Sequence, residues 1–160
     1  MNAPISADVF DVAHEGGAGR ARLELLDAFF ELELAVSKWL ALLGHSELAS
    51  PLGQRLNLLS DHPKLETAAK NGQRKVIRDL PANCRDALRI RNAVVHSRCL
   101  HGALGNEQVI FFETIKLALA CEGALIPVRI MEIDEASKTA RKLASQLMNF
   151  ISQNEKASTS

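Results

Sequence analysis

The sequence predicts a mainly α fold, a helical bundle with a short β-hairpin following one central helix. Three observations point there: apolar residues recurring every three to four positions over long segments, helix-start and helix-stop residues at their ends, and one late region rich in strand-favouring residues. At 160 residues the chain is one domain's worth, enough for a single core. The expected organisation is a flexible segment over 1–19, one helical domain over 20–152 and a disordered tail over 153–160.

From Arg20 to about Leu43, the residues Leu25, Phe29, Leu32, Val36, Trp39, Leu40 and Leu43 keep helical spacing, with Glu24, Asp27 and Glu31 opposite. Gly44 is placed to end that helix, and Gly16, Gly17 and Gly19 lie just before it in the loose head. Ser50 then reads as an N-cap with Pro51 at the first helical position, leading a short second helix through LGQRLNLLS. Lys64 to Asp79 is polar and helix-tolerant, broken at Asn71 and Gly72, and Pro81 opens the helix that carries RNAVVH at 91–96.

After that helix, HGALGNEQ reads as a turn region, while QVIFFET and IPVRIME suit strands, as a hairpin or a pair of short strands. IKLALA between them is compatible with strand or helix. Asp134 is expected to cap a last amphipathic helix whose buried stripe is Ala140, Leu143, Leu147 and Phe150 or Ile151. The closing SQNEKASTS has nothing to bury, and neither end is expected to carry function.

Lys plus Arg and Asp plus Glu are 19 each, so no global field exists to hold nucleic acid or coat an anionic membrane; a phosphate ligand has to be held locally. Three cysteines, Cys84, Cys99 and Cys121, are odd in number and lack a CxxC pair, which favours a reducing compartment, read as the cytoplasm. The start has no basic segment followed by an apolar run, and no stretch reaches about 18 uninterrupted apolar residues, so neither export nor a membrane is expected. His96, Cys99 and His101 lack a fourth ligand at sensible spacing, and no phosphate loop or dinucleotide fingerprint is present, so neither metal nor cofactor is expected. Six Phe and one Trp, mostly in apolar runs, read as core rather than as base-stacking platforms.

RNAVVH is the part of the chain that looks like chemistry. Arg supplies a permanent cation shaped for phosphate, and His is the side chain whose unperturbed pKa lies closest to neutrality. On a helical wheel Cys84, Ala87, Leu88, Val94 and Val95 share an apolar arc with Arg91 in its middle, while Arg85, Arg89, Asn92 and His96 form a second, polar stripe. A cation aimed at apolar surroundings needs a carboxylate, carbonyls, an anion or a partner chain. Glu33 interrupts the apolar arc of the first helix and is the candidate for a structural pair with Arg91. Arg91 and His96 differ by about 140° on an unbroken helix, so they converge only where the helix ends before His96 or a second protomer contributes. Spacing alone is weak: Arg55 and His62 fit a looser version of it in an unremarkable segment.

The context of RNAVVH, with a polar residue after the Arg, small and β-branched residues before the His, and a turn with strands following, resembles the HEPN superfamily. Its members are helical bundles with an Arg, four to six residues, then His near the end of a central helix. The resemblance implies a metal-independent endoribonuclease acting as a homodimer on RNA, in a toxin, defence or stress system, with an antitoxin or nucleotidyltransferase as further partner. It equally implies noncatalytic interaction or dimerisation modules of the same fold, in which Arg91 is paired internally. In the catalytic reading His96 takes the proton of a ribose 2′-OH, Arg91 neutralises charge growing on the phosphate, Asn92 donates to phosphate or orients the imidazole, and Arg85, Arg89 and Arg98 guide the RNA backbone. The products would be a 2′,3′-cyclic phosphate and a 5′-hydroxyl.

Overall fold

The computed structural model describes residues 12–45, 49–95, 97–114 and 126–158. Their fold is mainly α with one small antiparallel sheet. In chain order the elements are α1 (Val12–Leu42), α2 (Leu52–Ser60), α3 (Leu65–Ala68), α4 (Asn71–Arg78), α5 (Leu80–Val95), β1 (Ser97–Leu104), β2 (Glu107–Thr114), β3 (Ile126–Arg129) and α6 (Ile130–Ser158).

The two long helices α1 and α6 share the most extensive interface, and α5 packs on α6 beside them. All seven apolar residues that the spacing of the first helix selects are buried. Trp39 is fully enclosed, and its indole Nε1 donates to the Leu147 carbonyl of α6 at 3.0 Å, so the largest core side chain also satisfies its one polar atom. Helix α6 answers with Ile133, Ala136, Ala140, Leu143, Ala144, Leu147 and Ile151, a stripe of alternating small and large residues. At the end of that stripe Ile151 is buried and Phe150 only half-buried.

Gly44 ends α1 as its position predicts. It adopts φ +84°, the His45 N–H donates to the Leu40 carbonyl and the Gly44 N–H to the Ala41 carbonyl, each at 2.9 Å. That pair of bonds is the left-handed glycine stop that satisfies carbonyls the helix would otherwise leave open.

Several boundaries differ from the sequence expectation, each for a physical reason. Helix α1 starts at Val12, through the three glycines, because a helix nucleated by a buried stripe propagates outward one hydrogen bond at a time. Pro51, not Ser50, is the N-cap of α2: its carbonyl accepts from Gln54 and Arg55, and its ring fixes φ at −54°. Asn71 and Gly72 open α4 instead of breaking a helix, because the Gln73 side chain turns back to accept the Lys70 N–H at 3.1 Å. Helix α6 starts at Ile130, and Asp134 lies inside it; Glu132 in its first turn reaches back, its carboxylate accepting the Arg129 N–H at 2.8 Å.

The tail is also helical through Ser158. It docks through polar groups: Asn154 donates to the Ala68 carbonyl and to Gln73, and buried Gln73 donates to Gln153.

The hairpin begins one strand earlier than the residues suggest. Ser97–Leu104 pairs along its whole length with Glu107–Thr114, leaving only Gly105 and Asn106 as the loop, with Gly105 at φ +63° as a two-residue hairpin requires. Propensity misses β1 because Gly102 and Ala103 weaken it locally, whereas pairing with the Val-Ile-Phe-Phe run of β2 is tertiary. The two segments chosen as strands pair antiparallel as β2 and β3, the second only over Ile126–Arg129, since its last three residues open α6; Ile110 lies opposite Val128 and both are in the core. Pro127 sits on an edge strand, where its missing N–H costs nothing. Residues 1–11, the IKLALA segment at 115–120 and Cys121 lie outside the described residues. No described helix is long and apolar enough to cross a membrane.

Two outcomes test this packing. Gly44→Ala places a side chain at positive φ against Lys64 and should cost about 1 kcal/mol in chemical denaturation, with the slope unchanged. Burial pushes the Cys84 thiol up from 9.0 to about 11. The unfolded chain therefore releases this proton first, and stability should fall as pH rises from about 9 toward 11, a loss that Cys84→Ala removes.

Candidate functional site

Helix α5 buries Leu80, Cys84, Ala87, Ile90 and Val94, leaving Arg85, Arg89 and Asn92 exposed. The buried arc includes Ile90, while Leu88 and Val95 are only half-buried, which turns the core-facing direction by about 40° from the expected one. Arg91 consequently sits at the edge of the buried face, not at its middle, with its side chain 25% exposed.

From that edge Arg91 reaches α1. Its Nη2 donates to Glu33 Oε1 at 3.2 Å and its Nη1 to Asn92 Oδ1 at 3.2 Å. The pairing of Arg91 with Glu33 anticipated from the two interrupted apolar arcs is present. Glu33 is not, however, a private partner. Its other oxygen accepts Arg55 Nη2 from α2 at 2.9 Å, and Arg55 Nη1 donates to Ser37 Oγ at 2.7 Å, whose own hydroxyl donates to the Glu33 carbonyl.

Arg55 is the one buried charged residue among the described residues, at 7% exposure. Two guanidiniums thus meet one carboxylate, a formal excess of one positive charge at the junction of α1, α2 and α5. Among the described residues, the buried Nε atoms of both arginines have no hydrogen-bond partner.

Arg55 is the residue that sequence reasoning passed over. A signal was available: Leu52, Leu56 and Leu59 form the apolar stripe of α2, and Arg55 interrupts it as Glu33 interrupts that of α1. Its spacing to His62 has no structural sequel in this cluster, since His62 accepts the Lys64 N–H at its own loop.

A groove of about 670 Å³ opens between α2 and α5 beside the cluster. Its polar lining is Gln54 and Asn57 from α2 and Arg85, Arg89, Arg91 and Asn92 from α5, with no carboxylate among the described residues that line it. A chain with no net charge therefore concentrates three cations on one wall. A second basic dent, at Asn71, Arg74, Lys75, Arg78 and Asp79, differs in kind: it contains an acid, and Arg74 and Arg78 are both engaged by Glu66.

Of the sequence-selected residues, the structure brings Arg85, Arg89, Arg91 and Asn92 to one groove with Glu33 behind it. Arg98 lies on β1 opposite Glu113, on a different element from the other three arginines. His96 lies outside the described residues; α5 ends at Val95, the residue before it. Comparison with models of protein families, with curated proteins and with solved structures returns no match.

The shared carboxylate makes a ranking. Glu33→Gln leaves two guanidiniums without a counter-charge and should cost roughly 1–3 kcal/mol, between the values for exposed and buried pairs. Arg91→Ala leaves a neutral Arg55–Glu33 pair and should cost less than about 1 kcal/mol. Equal losses in urea titrations of the two variants would contradict the sharing.

Proposed function

We propose that the chain is a HEPN-like, metal-independent endoribonuclease whose α2–α5 groove holds the RNA backbone. The observation that carries the reading is the lining of that groove: Arg85, Arg89, Arg91 and Asn92 converge on one wall free of described carboxylates, in a protein with no net charge. Arg and Asn donors on a wall with no described carboxylate in its lining suit a phosphodiester, whose oxygens accept from forked guanidinium groups.

Arg91 acts as the clamp. It is held at one end by Glu33 yet stays a quarter exposed to the groove, so its orientation is fixed while donor capacity remains for an incoming oxygen. His96 takes the proton from a ribose 2′-OH as that oxygen attacks phosphorus, the bond to the 5′-oxygen breaks with protonation of the leaving oxygen, and a 2′,3′-cyclic phosphate and 5′-hydroxyl result. DNA lacks the nucleophile and is bound but not cut.

A second copy of the chain belongs to this reading. Leu23, Phe30 and Leu34 are exposed on α1, an apolar surface available for self-association. The pairing of Arg91 with Glu33 favours a second reading, a noncatalytic interaction module in which that arginine is structural.

Incubation with total RNA in EDTA separates the two. Cleavage ending in cyclic phosphate should be present for the wild type and fall about 10²- to 10⁴-fold in Arg91→Ala and His96→Ala. RNA left intact by folded protein at high concentration would leave the interaction module.

A further inference from the structure

One carboxylate between two arginines raises the question of why Arg55 is there. A structural pair needs one arginine and one glutamate, and a buried guanidinium at 7% exposure is costly to keep. Arg55 does not touch the groove itself; its hydrogen bonds go to Glu33 and Ser37, on the α1 side. What it changes is the charge left for Arg91. With Arg55 present, the trio of Arg55, Glu33 and Arg91 has a formal charge of plus one; without it, Arg91 and Glu33 would cancel.

We infer that Arg55 is a positioning residue that sets the charge Arg91 presents to a phosphodiester, by sharing Glu33 with it. The inference rests on the proposed use of the α2–α5 groove for RNA phosphates. Its chemistry is electrostatic. A carboxylate bonded on one oxygen by Arg55 at 2.9 Å and on the other by Arg91 at 3.2 Å gives the shorter contact to Arg55. Arg91, the partner that lines the groove, is thereby oriented by Glu33, while the carboxylate's charge is shared with Arg55. Ser37 completes the device by fixing Arg55 through Nη1, so that Arg55 cannot swing out to meet the ligand. Among the described residues the buried Nε of each arginine has no hydrogen-bond partner, so the trio holds more donors than acceptors.

The arithmetic of charge makes the test specific. The trio carries plus one in the wild type, zero in Arg55→Met, plus two in Glu33→Gln, and plus one again in the double variant. Binding of a short fluorescent 2′-O-methyl RNA, which has no 2′-hydroxyl to react, is measured by anisotropy at low salt, each protein being confirmed folded by circular dichroism. Arg55→Met should bind about tenfold more weakly, Glu33→Gln about tenfold more tightly, and the double variant within about twofold of the wild type. Arg55→Lys, which keeps the charge, should stay within about threefold of the wild type. Should Arg55→Met fail to fold, Arg55→Gln serves as the neutral variant.

A residue that only supports the fold would not be rescued by losing a second support. A double variant as weak as Arg55→Met, an Arg55→Met indistinguishable from wild type, or absence of binding in every protein each overturns the inference. Cleavage of unmodified RNA in EDTA is assayed beside it. Cleavage without the charge cycle leaves the nuclease reading standing and removes Arg55 from it; the charge cycle without cleavage keeps Arg55 and removes the nuclease.

Discussion

The carboxylate of Glu33 is the constraint on which the candidate site depends. It lies where α1, α2 and α5 meet, and each of its oxygens holds one arginine from a different helix. Apolar packing brings the three helices together, but it does not fix their rotation to the level a binding site needs, because hydrophobic contact is non-directional. Two charge-assisted hydrogen bonds on one carboxylate supply direction. One ties α2 to α1 and the other ties α5 to α1, and the second holds Arg91 at the groove edge, on the same helix as Arg85, Arg89 and Asn92 of the groove wall.

The rigid frame behind the site comes from the long helices. Trp39, bonded to the Leu147 carbonyl, locks α1 to α6, and the α5 residues Cys84, Ala87 and Val94 complete the same core. This part was legible in the sequence. Seven apolar positions on the first helix and the glycine stop at Gly44 follow from periodicity and backbone conformation, which are local properties. Elements whose stability comes from distant partners were not legible. Strand β1 exists because β2 pairs with it, and the end of α6 is ordered by Gln73 and Ala68 about eighty residues earlier.

The site divides in the same way. Glu33 and Arg91 were found because each interrupts an apolar stripe, a mark that needs no partner to be seen. Arg55 carries that mark too, on a helix of only nine residues, where a short stripe of three leucines makes the interruption easy to miss. The sharing of Glu33 between two arginines is a relation among three helices that no single stripe encodes. Nor does a wheel alone fix the core-facing direction: Ile90 is buried and the arc of α5 is turned accordingly, which moves Arg91 from the interior to its border. A residue at such a border can be held from behind and still meet a ligand in front, and that combination is what the proposed chemistry requires.

The most direct measurement of this account is the arginine side-chain N–H spectrum of isotopically labelled protein during titration with a 2′-O-methyl RNA. The signals of Arg85, Arg89 and Arg91 should shift together as the RNA is added, followed by a smaller shift at Arg55, which feels the ligand only through Glu33. Shifts confined to Arg74 and Arg78, beside the second basic dent, or an unchanged Arg91 signal at saturation, would contradict it.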